Sequence, residues 1–471
     1  MDGSMNWKSL LNATRVRSLY GGAGSFKSPD DPRSEFERDY GRTIFSTPVR
    51  RLQDKAQVFP LVQQDFVRTR LTHSMEVSSV ARGLGGMVAR WLVEKAELEA
   101  RLAPAVEVIS ATCGIFHDLG NPPFGHAGED AIAEWCTRDI NLDALFPGEP
   151  QMVGDFKGWN GNAQTIRLIG RLQVLSDEYG LNLTCATMSA ACKYLAPSDG
   201  VKPSEHDSSK VGYFFSETDL VSRIRESVGT GNARHPITLL VEASDDIVYS
   251  AVDLEDGIKK RLITWDRLQQ EIHERSRGCS HTERALELAS KKIGSMKEGP
   301  ARDEALIQAF RTYAINEVTV SVFEEFKSSY NEIMRGGYHA ELVKRCTAFP
   351  LVKACKDIAS EVVYRCDEVL GIELMGRRVI RDIMTIFWEG AEAYQEGKWK
   401  SKPFAEKAYR LMSRNYRGVF EEALGKIIVP GKAGSDRTPK AMYYRLQLIC
   451  DYVSGMTDTF AASLHKNLSN V

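Results

Sequence analysis

Residues 115–130 read IFHDLGNPPFGHAGED. His117 and Asp118 stand at the end of a run, Val106 to Phe116, that is apolar on nearly every face, which predicts a buried central helix. Pro122 and Pro123 break that helix, and the next one, beginning near Phe124, carries His126 and Glu129 one turn apart. Imidazole nitrogen and carboxylate oxygen together suit a divalent metal of intermediate hardness. One dipeptide cannot complete such a site, so partners must come from other helices.

Two segments supply them. Upstream, VRTRLTHSMEVSSVARGLG carries His73 on an amphipathic run, with Arg70 one turn before it. Downstream, ITLLVEASDDIVYSAVDLEDG places Asp245, Tyr249 and Asp253 at i, i+4 and i+8, along one face of a helix that is otherwise apolar. A carboxylate there is costly to bury unless something pairs with it. Each feature alone has an ordinary explanation: a chance His-Asp pair, a core histidine, an acidic first turn favoured by the helix dipole. The joint order His73, His117-Asp118, Asp245, each on its own helix, points to a metal centre.

That order resembles the HD-domain metal-dependent phosphohydrolases. The string HDLGNPPFGHAGE, with RRLQDKAQVF before it and EASDDIVYSAVDLEDG after it, looks like the deoxynucleoside triphosphate triphosphohydrolase branch, the dGTPase-like enzymes. GNAQTIRL, LTCATMSAACKY, KVGYFFSET and DYVSGMTD are further similar segments, so the resemblance runs from about Tyr40 to the last helix. It implies a divalent metal, Mn²⁺ or Mg²⁺ with Fe²⁺ or Co²⁺ also suited, on His73, His117, Asp118 and Asp245. It implies catalytic work by His126 with Glu129, and substrate contacts from Gln57, Arg70, Asn121, Asn162, Lys193, Lys210, Tyr249, Asp253 and Arg414. The implied substrate is a dNTP, dGTP foremost, cleaved to deoxynucleoside and tripolyphosphate. A homo-oligomer, hexamer or tetramer, is implied too, joined through the C-terminal helices.

His126 could activate water, protonate the leaving 5′ oxygen or attack phosphorus itself; the sequence leaves all three open. Two other functions are weighed. A different HD phosphohydrolase, a nucleotidase or alarmone hydrolase, is opposed by the His126/Glu129 extension and the chain length. A nucleotide or single-stranded DNA binding module with a vestigial site is opposed by the four intact ligand positions. Single-stranded DNA binding alongside catalysis stays among the expected partners.

The bulk properties fit. The chain has 471 residues, 43% hydrophobic and 26% charged, an ordinary globular composition. A net charge of −2 gives no global drive toward nucleic acid or membrane. The nine cysteines show no CxxC spacing, and a reducing cytoplasm is expected. No apolar run approaches the roughly 20 residues of a membrane span. The expected architecture is all-α: an N-terminal segment (1–35), an HD-type helical core (36–262) and additional C-terminal helices (263–471) that complete the pocket and the oligomer contacts. At most a small β-hairpin is expected, at KVGYFFSET (210–218), after a helix over 183–195.

Overall fold

Capping chemistry sets where the principal helices begin in the computed structural model, which describes residues 4–469 except 23–26, 29, 62–65, 174–177, 295, 395–402 and 429–433. Ser34 closes a capping box with Glu37 at the start of α1 (Glu35–Ile44). Thr69 does the same with Thr72 for α2 (Arg70–Glu94), so Arg70 and His73 fall in its first turn. Helix α3 (Ala103–Phe116) is the buried central helix and delivers His117 at its C-terminal end. After the Asn-Pro-Pro turn comes α4 (Gly125–Arg138). Asn160 caps α5 (Gly161–Arg167) by accepting from the Asn162 and Ala163 amides. The buried ring of His235 caps α6 (Pro236–Lys259): Nδ1 accepts from Ile237 N at 3.1 Å while Nε2 donates to the Leu10 carbonyl. Burial pushes His235 down to about 4, so it performs both roles as a neutral imidazole.

Helices α2, α3 and α6 pack on one another and form the floor of the site. The α2–α3 contact is close at Gly114, where a Cβ would lie 2.6 Å from the Ser78 Cα, and Ser78 Oγ donates to the Ala111 carbonyl across it. Helices α7 (Pro300–Ser328) and α8 (Phe349–Val362) cover the outer face of α6. Helix α9 (Asp367–Ala393) lies on α4 and on the last two helices, α10 (Pro439–Ser454) and α11 (Asp458–Ser469).

Arg167 and Asp451 join α5 to α10 inside the protein. The guanidinium donates to both Asp451 oxygens, at 2.7 Å from Nε and 2.6 Å from Nη2, and a third bond reaches Glu217. All three side chains are buried. Removing one partner of such a pair leaves charge in a low-dielectric interior. Asp451→Ala is therefore expected to cost roughly 3–5 kcal/mol of unfolding free energy, read as a lowered urea midpoint.

The described residues are mostly helical, as expected, and no strand forms among them. Instead of a hairpin at 210–218 there is one isolated bridge, Ala196 to Val211, followed by a 3-10 turn, Phe215–Glu217. The Gly212 amide donates to the Ala196 carbonyl at 2.8 Å within that bridge, and the Phe215 amide donates to the buried Asp155 carboxylate, so the pairing goes no further. The helix expected over 183–195 is only Cys185–Ala190, which leaves Lys193 and Tyr194 in the loop beyond it. The stretch 263–292 is two helices, Trp265–Arg275 and Ser280–Ile293, separated at Gly278 (φ 84°). Residues 23–26 and 29 of the stretch GGAGSFKSPDDPRS and 430–433 of PGKAGSDRTPK lie outside the described residues. No helix among them is long and apolar enough to cross a membrane.

Candidate metal and catalytic site

The C-terminal end of α3, the first turn of α2 and the middle of α6 converge on one point. Ligand atoms of His73, His117 and Asp245 lie within 4.8 Å of one another. Asp245 Oδ1 is 3.1 Å from His73 Nε2 and 3.5 Å from His117 Nε2. Asp118 approaches the same cluster, 3.7 Å from His117 Nε2, and is also held by the Arg70 guanidinium and by Asn121 Nδ2 at 2.8 Å. Burial alone would push both carboxyls up, but Arg70 and His117 hold Asp118 at about 2, and His117 with His73 holds Asp245 below the usual carboxylate range.

The donor set fits a divalent cation. His117 Nδ1 is 2.8 Å from the Gly114 carbonyl and donates to it, which makes Nε2, on the side of Asp245 and His73, the nitrogen that would give up its proton to bind a cation. That buried Nε2 has no hydrogen-bond partner among the described residues. A basic nitrogen so oriented, beside two ionised carboxylates, is the arrangement a metal ligand needs.

A cavity of about 410 Å³ opens from this cluster. Gln57, Arg70, Asn121, His126, Glu129, Asn162, Lys193, Lys210 and Tyr249 all line it, drawn from segments nearly 200 residues apart. The bridge between Ala56 and Thr69, with Arg70 N donating to the Lys55 carbonyl at 2.8 Å, sets Gln57 beside Arg70. Lys193 lies 3.7 Å from Glu242, one turn before Asp245 on α6. Glu242, whose burial would raise it, is held at about 2 by His206, Lys193 and Arg234.

His126 is largely exposed at the cavity wall and its Nδ1 is 3.1 Å from Glu129. The other Glu129 oxygen accepts from the Gly161 amide at 2.6 Å, at the start of α5. Burial would raise Glu129, but His126 and that amide keep it below its ordinary value; the bonded carboxylate in turn raises His126. The turn that delivers His126 is unusual: Phe124 has φ 64° and ψ 19°, the left-handed region, which costs a bulky residue roughly 1–2 kcal/mol. Gly125 follows at φ 59° and lets the Arg70 guanidinium approach; a Cβ there would lie 2.9 Å from Nη2.

Two expected contacts fall elsewhere. Asp253 is fully buried and does not line the cavity; it accepts from the Tyr364 hydroxyl, and burial pushes it up to about 7. Tyr364 stands in its place on the cavity wall, with its ring stacked on Tyr249 at 5.9 Å. Arg414 is exposed at the start of the Arg414–Gly425 helix and is not part of the cavity. The sequence reading missed Tyr364, Glu373, Lys55 and Asp458. Tyr364, Val369 and Glu373 line the cavity from α9 and the residues just before it, where nothing local in the sequence points to the cavity.

An all-helical fold with this histidine and aspartate arrangement defines the class of HD-type phosphohydrolases. A family model described as a phosphohydrolase-associated domain matches residues 430–467. The deoxyguanosinetriphosphate triphosphohydrolase-like protein of Listeria monocytogenes is 34% identical over 482 residues, covering 99% of this chain and 100% of that one. Its Synechocystis counterpart is 32% identical over 488 residues, with 99% and 100% covered. The deoxyguanosinetriphosphate triphosphohydrolase of an Enterobacter strain is 31% identical over 504 residues, with 95% and 97% covered. The chain belongs to the deoxyguanosinetriphosphate triphosphohydrolase family.

Proposed function

We propose that the protein hydrolyses deoxynucleoside triphosphates, dGTP foremost, at the α-phosphorus, giving deoxynucleoside and inorganic tripolyphosphate. The observation that carries this reading is one cavity lined by His117, Asp118 and Asp245, with buried His73 behind them, by the His126–Glu129 pair and by the cations of Arg70, Lys193 and Lys210. The names of the relatives support the same substrate class.

A divalent cation on those four ligands would neutralise phosphate oxygens and supply Lewis acidity. The remaining work belongs to the side chains. Arg70, Lys193 and Lys210 pair with the other phosphate oxygens, and Glu242 keeps the Lys193 ammonium charged and in place. Glu129 accepts from His126 Nδ1–H, so Nε2 is the atom that exchanges a proton with water or with the leaving 5′ oxygen. The stacked rings of Tyr249 and Tyr364 offer an aromatic wall for the sugar to pack against. Glu373 supports the guanine preference, because a carboxylate accepts from the N1–H and N2–H donors that guanine presents side by side and adenine lacks.

Phosphorus NMR with Mn²⁺ and each deoxy- and ribonucleoside triphosphate tests the reaction. Tripolyphosphate from dGTP is expected, and orthophosphate or pyrophosphate would move the protein to another reaction. Glu373→Gln is expected to narrow the ratio of kcat/KM for dGTP over dATP by about 10-fold, the value of a charged hydrogen bond; an unchanged ratio removes Glu373 from base selection.

A further inference from the structure

We infer that Asp458, in the segment matching the phosphohydrolase-associated domain, is a positioning residue for His126 that acts through the backbone of the Phe124–Gly125 turn. The inference rests on the reading of His126 as a proton-transfer group. Asp458 is buried, and each carboxylate oxygen accepts from a different wall of the cavity: Oδ1 from Phe124 N at 2.9 Å and Oδ2 from Ala56 N at 2.8 Å. Phe124 is two residues before His126, and Ala56 immediately precedes Gln57. A second strut runs parallel: the buried Lys55 ammonium donates to the Asn121 carbonyl and, at 2.8 Å, to the Ser454 carbonyl on α10. Thr459 Oγ1 closes the set by donating to Asp54 at 2.7 Å.

The turn needs an anchor because Phe124 is left-handed, a conformation that an aromatic residue leaves when nothing opposes it. Asp458 fixes its amide and α9 fixes its ring. At Gly376 of α9, a Cβ would fall 2.6–2.8 Å from Phe124 side-chain atoms, so only glycine leaves a notch for the ring. The C-terminal helices therefore hold the catalytic turn from behind, without contributing a group to the cavity at that point. A carboxylate suits the task, since both of its oxygens only accept. An amide of the same shape turns one of them into a donor facing an N–H.

The test uses the full chain with Mn²⁺ and dGTP, in Asp458→Asn and, at a distant position, Gly376→Ala. Both are expected to lower kcat by roughly 10- to 100-fold, as loss of supporting hydrogen bonds does, with Mn²⁺ affinity by EPR titration unchanged. In a His126→Ala background Asp458→Asn should slow the residual rate no further. The His126 ring carbon signal in ¹³C-histidine-labelled protein, assigned by its loss in His126→Ala, should shift or broaden in both variants without nucleotide. An unshifted ring signal with unchanged kcat, or an undiminished further loss in the His126→Ala background, overturns the inference. If wild type hydrolyses no triphosphate, the functional reading falls and the ring signal alone decides: shifted upholds Asp458 as the anchor of His126, unshifted overturns it.

Discussion

Asp245→Ala is expected to lower kcat/KM for dGTP by at least about a thousand-fold, on the order of 4 kcal/mol of transition-state stabilisation. Asp245 is the carboxylate that faces both histidines, at 3.1 Å from His73 Nε2 and 3.5 Å from His117 Nε2. Its loss leaves two imidazoles without the negative charge that draws a cation to them. Mn²⁺ binding, followed by EPR, should weaken in parallel. Far-UV circular dichroism should keep its helical signal, because Asp245 sits on a helix held along its length by buried apolar side chains. Asp118→Ala should behave alike, with an added effect through Arg70, which loses its carboxylate partner. Full turnover in the Asp245 variant would remove this cluster from the reaction.

His126→Ala carries the second large effect, a loss of roughly 10²–10⁴ in kcat, the range of general acid–base catalysis. Here Mn²⁺ affinity should stay where it is, because His126 is not among the clustered ligands. The pH profile of Glu129→Gln identifies the role of the pair. The Glu129 carboxylate raises His126, so replacing it with a neutral amide lowers the pKa of the imidazole. The limb of the profile that belongs to His126 then moves to lower pH: the alkaline limb if the protonated ring donates to the leaving oxygen, the acid limb if the neutral ring activates water. A profile that does not move would separate His126 from the titration that governs the rate. Rapid quenching that traps a phosphorylated imidazole would assign the attack on phosphorus to His126 itself.

Much of this arrangement is written locally. The apolar run from Val106 to Phe116 can only be a buried helix, and the two prolines after it must end it, so His117 and Asp118 lie at a helix end whatever the rest of the chain does. Thr69 and Thr72 cap α2 and put His73 in its first turn. The i, i+4 spacing puts Asp245 and Tyr249 on one face of α6, and both reach the cavity. Asp253, one turn further along that spacing, is instead fully buried and bonded to the Tyr364 hydroxyl. The same face is covered there by Tyr364, and a helix period says which way a side chain points but not what another segment has laid over it.

The hairpin expected at KVGYFFSET has the same cause. Alternation over those residues is real, but a strand needs a neighbour with free backbone groups. Here the backbone pairing stops at the single bridge from Ala196 to Val211, and beyond it a side chain takes over, with Asp155 accepting from the Phe215 amide. Arg414 is implied by the resemblance alone, and a resemblance in sequence does not say which face of a helix meets the cavity.

The sequence by itself determined the helical class and the His126–Glu129 pair, because each depends on periodicity, capping and spacing within a few turns of one chain segment, and it named the metal-type donors on three separate helices only through their joint order and the resemblance that order carries. Only the tertiary structure decided the far wall of the cavity and the contacts that hold the turn before His126. Glu373 and Tyr364 come to the cavity from more than 100 residues beyond Asp245, and Asp458 reaches Phe124 across 334 residues. Those contacts depend on how whole helices pack, and burial of apolar surface, which drives that packing, has no direction that a local pattern can encode.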